Sequence, residues 1–463
     1  MQRSTEYLEK GVGRAVVFLA VVAVVAFAIL ALKLTNRESP VIEMQPEIRG
    51  IGVNTPVDLR VHDSDYRIKS VVAEVRQGDR TFQISLESGA ETVHAPSWWK
   101  FWSRHVESSA VFHANVGRKS IPDLKEGSAR LTVTATNNSW GRFFRGGQSQ
   151  LIKNLPVRFM PPRAEVLTAQ HYINQGGCDM LLLKVSEGTV ESGVQVGAYF
   201  FPSYPVKADP TSRMCIFAYP YDVDPSTPAR VVARDDAGNQ SLVNFNYRVF
   251  PKKFRSNTIN LKDDDMQRVV PPILAQTPEL SDQGSALKNF LLVNGTLRRM
   301  DAQQLVAFSQ KTAPHLTWTQ PFVQLGNSKV EASFADFRSY VYNGQVVDRQ
   351  VHLGFDLAVV QHAPVLASND GTVVYAGYLG IFGNVVVIDH GCGLQSLYAH
   401  LNSFEVKEGE AVKRDQVIAH SGQTGLAFGD HLHFTMLLDG IPVNPVEWWD
   451  PHWIHDRIEA KLK

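Results

Sequence analysis

Short apolar runs punctuated by turn residues fill most of this chain. Between residues 41 and 250 the runs TPVDLRVHD, IKSVVAEVRQ, RTFQISL, ARLTVTAT, CDMLLLKVSE, VQVGAYFF and MCIFAYPY are rich in Val, Ile, Tyr and Phe and are bounded by Gly, Pro, Asp and Asn. This pattern predicts strands, and their number and spacing predict β-sandwiches with an immunoglobulin-like pattern. Pro161-Pro162 reads as the break between a first sandwich, residues 41–160, and a second, 161–252. The segment ARVVARDDAGNQSLVNFNYRV predicts a hairpin turned by Asp236-Ala237-Gly238-Asn239. Over 253–313 the spacing changes. Pro271, Pro272 and Pro278 interrupt the chain, and SALKNFLLVN and DAQQLVAFSQ then place apolar residues at helical intervals, with Asp301 as N-cap of the second helix. Residues 253–313 are therefore expected to be a helical connector. After Pro314 strands return in SKVEASFADFRSYVYN, GTVVYAGYLG, NVVVID, LQSLYAHL, DQVIAHSG and HLHFTMLLDGIPV, with Asp439-Gly440 as a hairpin signal.

One apolar run is of another kind. Residues 15–32, AVVFLAVVAVVAFAILAL, carry no charge over 18 residues, at the short end of the ~17–25 needed to span a bilayer. Arg3, Lys10 and Arg14 precede the run, and Lys33 and Arg37 follow it. It is longer than the ~7–15-residue core of a signal peptide, and no convincing cleavage site follows. The expectation is an uncleaved, single-pass anchor at residues 15–34 in the inner membrane, with 1–14 as a cytoplasmic tail and the rest in the periplasm. The fold class expected is thus mainly β: an N-terminal transmembrane helix, two β-sandwich domains, a helical connector and a C-terminal antiparallel β domain at 314–451, followed by a tail at 452–463.

Charge and cysteine content narrow the function classes. Lys+Arg and Asp+Glu balance at 46 each, so no global field draws nucleic acid. Three cysteines, Cys178, Cys215 and Cys392, are too few for a disulfide scaffold or a Cys-ligated zinc site. Whether Cys178 and Cys215 pair, or all three are buried thiols, stays open at this level.

Ten of the fifteen histidines lie after residue 314. His352-Leu-Gly-Phe-Asp356 offers an imidazole and a carboxylate, Tyr398-Ala-His400-Leu another imidazole, and His431-Leu-His433 two more. In a strand, residues i and i+2 share a face at ~6–7 Å, which points His431 and His433 into one groove. His352 and Asp356 would stand ~13 Å apart in a flat strand, too far to bind one ion together. Gly354 between them predicts a corner instead. A His-His-Asp set with an open fourth position suits a catalytic zinc, whose vacant site holds a water of lowered pKa. No HExxH, G-x-S-x-G or GxxxxGK[ST] pattern is present, which removes zincin, α/β-hydrolase and P-loop chemistry.

Taken in order, the HxxxD, YAHL and HLHF segments resemble the lysostaphin/LytM-type zinc metallo-endopeptidases that cut peptides of the bacterial cell wall. The connecting pieces APVLASNDGTVVYAG, GNVVVIDHGCG and SLYAHLNSFEVKEGEAVKRDQVIAHSGQTG fit the same pattern. The resemblance implies that His352, Asp356 and His433 bind Zn2+, and that His400 and His431 are metal-free catalytic imidazoles. Tyr398 and Asn384 are expected at the substrate, since strand alternation puts Tyr398 on the face of His400, where it could help hold the oxyanion. Three departures stand out: Thr435 where the family usually has Glu, Phe382 for a frequent Tyr, and Asp415 with Ala419-His420 in place of turn glycines. His362, His390, His420, His452 and His455 read as structural or exposed.

The function expected is a membrane-anchored zinc endopeptidase acting on peptidoglycan cross-links, a D,D-endopeptidase of a thin-walled envelope. The alternative is a catalytically silent regulator or scaffold of other wall hydrolases, against which stands the retention of all five site residues. Peptidoglycan peptides and, through the N-terminal helix, the membrane are the partners expected. No protein partner of the two sandwich domains is indicated.

Overall fold

In a computed structural model, residues 20–28, 39–64, 66–94, 107–139, 146–206 and 209–462 are described. The chain divides into two compact units, Met1–Pro161 with Asp235–Asn239, and Pro162–Arg234 with Gln240–Lys463.

In the first unit, Thr55–Asp63 alternates buried with more exposed residues along its whole length, as a half-buried strand must. It pairs with Val41–Met44 and Glu107–Val116, and Glu87–His94 completes a four-stranded sheet. A second sheet holds Arg80–Ile84, Ile68–Gln77, Gly127–Asn137 and Gln148–Val157. Val57, Leu59, Val75, Leu131 and Val133 share the core between them.

The expected membrane-spanning helix at residues 15–32 is corrected by this structure. Only residues 20–28 of that run are described, as a helix, and no helix among the described residues is long and apolar enough to cross a membrane. The remainder of the run lies outside the described residues.

In the second unit, residues 164–250 form two four-stranded sheets. Tyr204–Val206, Asp209–Ala218, Cys178–Val185 and Ala164–Val166 make one, and Tyr199–Pro202, Thr189–Val196, Ala229–Asp235 and Gln240–Val243 the other. Ala229–Asp235 and Gln240–Val243 pair as the predicted antiparallel hairpin. All three cysteines are free and buried.

The connector departs from its sequence reading at two points. The helix Asp263–Ala275 runs through Pro271 and Pro272 instead of stopping before them. Burial of Met266, Val269, Val270 and Ile273 against Phe290 and Tyr340 holds it despite the missing N–H groups near its end. Asp301 caps no helix, because Ala286–Leu291, Leu292–Leu297 and Arg298–Ser309 run on as one continuous rod. Ser285 is the cap, accepting from Lys288 N at 3.3 Å.

The C-terminal domain is built on an antiparallel sheet. Its strands run in the order Lys329–Ala332, Phe355–Ala358, Leu432–Leu438, Leu394–Leu401, Gly383–Asp389, Gly371–Leu379 and Ala411–Val412, with Ile441–Val443 beside Leu432–Leu438. Its core is continuous with that of the second sandwich. Buried polar contacts join the two as well. Glu447 accepts from Cys178 N at 2.7 Å and Asn174 Nδ2 at 2.9 Å, and Lys461 Nζ reaches Asp179 Oδ1 at 2.5 Å. A Cβ on Gly177 would lie 2.2 Å from Glu447 Oε1, so any larger residue there would displace that carboxylate. Residues 452–462, read from sequence as a tail, are helical, with Ile454 and Ile458 buried.

Burial pushes the Glu447 carboxyl up to about 7, and that of Asp439 also to about 7. A carboxyl with a raised folded-state pKa binds its proton more tightly when folded, so its contribution is full below the unfolded value of about 4.3 and is lost as pH rises through about 7. The Tm of the full chain, followed by tryptophan fluorescence, is expected to fall between pH 5 and pH 8. In Glu447→Gln that slope should be flatter; an unchanged slope would contradict the role given to this carboxyl.

Candidate metal centre and catalytic groove

Cross-strand neighbours in an antiparallel ladder present their side chains to the same face. Asp356 pairs with His433, and His433 with Ala399, which makes one row on the groove face. The adjacent row, Phe355, Phe434 and Tyr398, faces the opposite way into the core, where the Tyr398 and Phe434 rings lie 5.3 Å apart. Small Ala399 leaves room above the sheet for the imidazoles.

Two breaks in strand regularity bring in the remaining donors. Gln345–His352 ends at His352 and Phe355–Ala358 begins at Phe355, so the chain turns at Leu353-Gly354. The turn brings His352 Nε2 to 2.9 Å from Asp356 Oδ1. A Cβ on Gly354 would lie 2.5 Å from Thr435 Oγ1 and 2.7 Å from the His433 ring, which excludes any larger residue. His400 is the second break. Simple alternation would send it to the core face with Tyr398, but its φ is +61°. That left-handed backbone, costing about 1–2 kcal/mol in a non-glycine residue, swings the ring over the groove, 4.9 Å from the His431 ring and 5.7 Å from that of His433.

Every imidazole has one nitrogen tied down and one left facing the cavity. His352 Nδ1 donates to Ser333 O at 3.1 Å, His400 Nδ1 to Thr424 O at 2.8 Å, and His431 Nδ1 to Gly429 O at 2.9 Å. His433 is turned the other way. Its Nε2 donates to Thr435 Oγ1 at 3.0 Å, while the Thr435 hydroxyl donates to Leu353 O at 3.1 Å. These partners fix the tautomers, so His352 Nε2 and His433 Nδ1 carry lone pairs, 3.0 Å apart and each 2.9 Å from Asp356 Oδ1. Two buried imidazoles and a half-buried carboxylate converging on one point form a donor set suited to a cation. His352, Asp356 and His433 are the single group of this kind among the described residues.

Electrostatics follow from this crowding. Burial alone would raise the Asp356 carboxyl, but the imidazoles of His352, His431 and His433 outweigh it and hold the carboxyl well below the usual range. Burial pushes His433 down to about 4. His400 falls well below the ordinary imidazole value, through burial first and then its neighbours His431 and His433. His431 moves up: burial opposes the rise, but the Asp356 carboxylate, 3.5 Å from its Nε2, prevails. All five line a cavity of about 480 Å³ with Arg298, Arg338, Tyr340, Ile381, Phe382 and Phe428, among others.

The other predicted residues fall elsewhere. Tyr398 does not share a face with His400, because the left-handed turn at His400 breaks the alternation on which that expectation rested. Its hydroxyl is 1% exposed with the rest of the side chain, accepts from Ser368 N at 2.6 Å, and lies 3.0 Å from Ser396 Oγ, which in turn meets buried His390. Asn384 Nδ2 donates to Leu401 O at 3.1 Å. Asn384 lines a neighbouring cavity of about 440 Å³ with Arg268, Gln276 and Thr424; Ala427 borders both cavities. Residues missed by the sequence reading are Arg338, whose Nη2 lies 3.2 Å from Asp356 Oδ2, and the connector residues that wall the groove.

Residues 350–445 match the model of peptidase family M23. The C-terminal domain belongs to that family. The M23 domain is 44% identical over 97 residues to the DD-carboxypeptidase/endopeptidase Mpg of Neisseria meningitidis serogroup B, covering 21% of this chain and 22% of that protein. It is 42% identical over 96 residues to the peptidoglycan DD-endopeptidase ShyA of Vibrio cholerae, again 21% of this chain and 22% of the relative. The match thus spans about a fifth of the length of these curated relatives. Among solved structures, the catalytic domain of lysostaphin from Staphylococcus simulans is 27% identical, covering 27% of this chain and 92% of that one at a TM-score of 0.23. A putative peptidase M23 from Pseudomonas aeruginosa covers 60% of this chain and 94% of its own, at 20% identity and a TM-score of 0.36.

Thr435 offers a test of the tautomer argument in the M23 domain. Thr435→Val keeps the shape and removes the acceptor for His433 Nε2. Loss of such a supporting partner typically costs about 10–100-fold in metal affinity. Chelator competition at constant pH is expected to show a loss of that size with the fold unchanged by circular dichroism.

Proposed function

We propose that this protein is a zinc-dependent endopeptidase that hydrolyses D,D cross-links of bacterial peptidoglycan outside the cytoplasm. The observation that carries the reading is the convergence of His352 Nε2, Asp356 Oδ1 and His433 Nδ1 within 3.0 Å, with two further imidazoles over the same cavity. Two neutral nitrogens and one carboxylate oxygen are the donor set of a catalytic zinc, and they leave a coordination position open. The names of the DD-endopeptidase relatives support the choice of substrate. His352, Asp356 and His433 would hold the metal, which supplies Lewis acidity and a water of lowered pKa when bound.

The remaining steps belong to the chain's own groups. His400 and His431 each present Nε2 to the cavity, with Nδ1 anchored on a main-chain carbonyl. One accepts the proton of the attacking water as general base. The other, protonated, donates to the developing oxyanion or to the leaving amine. Their anchored Nδ1 atoms keep both rings aimed through the proton transfers. Arg338 holds the second Asp356 oxygen and leaves Oδ1 facing the two ligand imidazoles.

Replacing His352 or His433 by Ala is expected to abolish zinc retention and activity together. His400→Ala and His431→Ala should retain zinc and lose roughly 10²–10⁴ in kcat. Metal content by atomic absorption, beside turnover, separates the two classes; loss of zinc from His431→Ala with retention in His433→Ala would reverse the assignment. For the substrate, the zinc-loaded full chain is incubated with cross-linked muropeptide dimers and with pentaglycine, and the products are identified by mass spectrometry. Conversion of dimers to monomers is the expected result. Cleavage of pentaglycine alone would overturn the D,D assignment.

A further inference from the structure

Two guanidinium groups, those of Arg298 and Arg338, line the catalytic cavity with N–H groups to spare. Arg298, at the start of the helix Arg298–Ser309, is partly buried, with Nε on Asn294 O at 3.1 Å and Nη2 on Asn294 Oδ1 at 2.6 Å. It makes no ion pair among the described residues. Asp348 is engaged by the Asn294 amide, which donates from Nδ2 to Asp348 Oδ2 at 2.8 Å. Asp301 accepts from Ile381 N at 2.8 Å and acts on Arg298 electrostatically without forming an ion pair with it.

Arg338 spends one contact on Asp356, and its Nε and Nη1 have no hydrogen-bond partner among the described residues. The other acids on the cavity wall are engaged elsewhere. Glu331 is exposed and pairs with Lys329 at 2.8 Å, and Asp430 accepts from Ser421 Oγ and His362 N. Ile259, Tyr340 and Ile381 also line the cavity. A low-dielectric pocket holding guanidinium N–H groups without acceptors favours an anion, and the planar fork of arginine matches a carboxylate.

We propose that Arg298 and Arg338 form a subsite for a free carboxylate of the substrate, one residue or so from the scissile bond. The ligand class is a peptide with a side-chain or terminal carboxylate close to the cleaved bond, as the diamino acid of a direct cross-link has and a glycine bridge lacks. This inference rests on the endopeptidase reading above and adds what that reading leaves out, the group that selects among wall peptides. Arg298 comes from the connector, so the connector supplies specificity to a site whose reacting groups all lie in the M23 domain.

The test compares two cross-linked dimers that differ only in the diamino acid carboxyl, free or amidated, with the zinc-loaded full chain. A charge-assisted hydrogen bond is worth ~1.5–3 kcal/mol. The expected preference for the free acid is accordingly about 10–100-fold in kcat/KM, carried by KM. In Arg298→Gln the preference should collapse, with kcat/KM for the free acid falling toward that for the amidated dimer, and Arg298→Lys should restore part of it. Equal cleavage of both dimers by the unmodified chain overturns the proposal whether or not the variants fold. Equal slowing of both dimers by Arg298→Gln, at unchanged zinc content, reduces Arg298 to a structural role and also overturns it. If the unmodified chain cleaves neither dimer, the endopeptidase reading itself fails and the subsite falls with it.

Discussion

Three lone-pair donors buried within 3 Å of one another repel unless a positive charge stands among them, and the whole domain is arranged around that cost. Asp356 and His433 are neighbours in one ladder row, so the sheet itself enforces their separation. His352 is delivered by a corner that only Gly354 permits. The second nitrogen of the His352 and His433 imidazoles is held by Ser333 O and Thr435 Oγ1, which denies the rings the rotation that would relieve the crowding. A folded sheet that keeps such a cluster together has stored the binding energy of a cation in its packing.

The same logic extends outward from the metal centre. Phe382 sits 5.6 Å from the His433 ring, on a short turn, Gly380–Phe382, that precedes the strand Gly383–Asp389. Asp301 of the connector holds that turn by accepting from Ile381 N, and burial pushes its carboxyl up to about 6. A Cβ on Gly380 would meet the Asp301 carboxylate at 2.2 Å. The connector is thereby a wall of the groove and a brace for the aromatic ring behind His433. On the far side of the domain, Glu447 and Lys461 tie the M23 domain to the second sandwich through buried polar contacts.

The strands and the M23 motifs were legible in the sequence because they depend on local composition and on fixed spacings. The i, i+2 relation of His431 and His433 and the glycine corner at Gly354 follow from strand geometry alone. Tyr398 was misread for an equally local reason: alternation held up to Ala399 and failed at His400, where nothing in the YAHL letters announces a left-handed residue. Asp301 and Pro271-Pro272 were misread because tertiary burial overrides capping and helix-breaking preferences. Arg298 and Arg338 carried no motif, since only the fold brings residues 40 apart in the chain to one cavity. The apolar run at residues 15–32 satisfied a composition rule for a membrane span, but the described part of it is a nine-residue helix.

The central claim is that His352 Nε2, Asp356 and His433 Nδ1 hold one catalytic zinc. Anomalous diffraction on crystals of the full chain, recorded on both sides of the zinc absorption edge, tests it directly. The account predicts a single peak at about 2.0–2.2 Å from those three donor groups, with His400 and His431 outside bonding distance. A peak bonded to His400 or His431, or crystals grown with zinc that show no peak at this cluster, would contradict it.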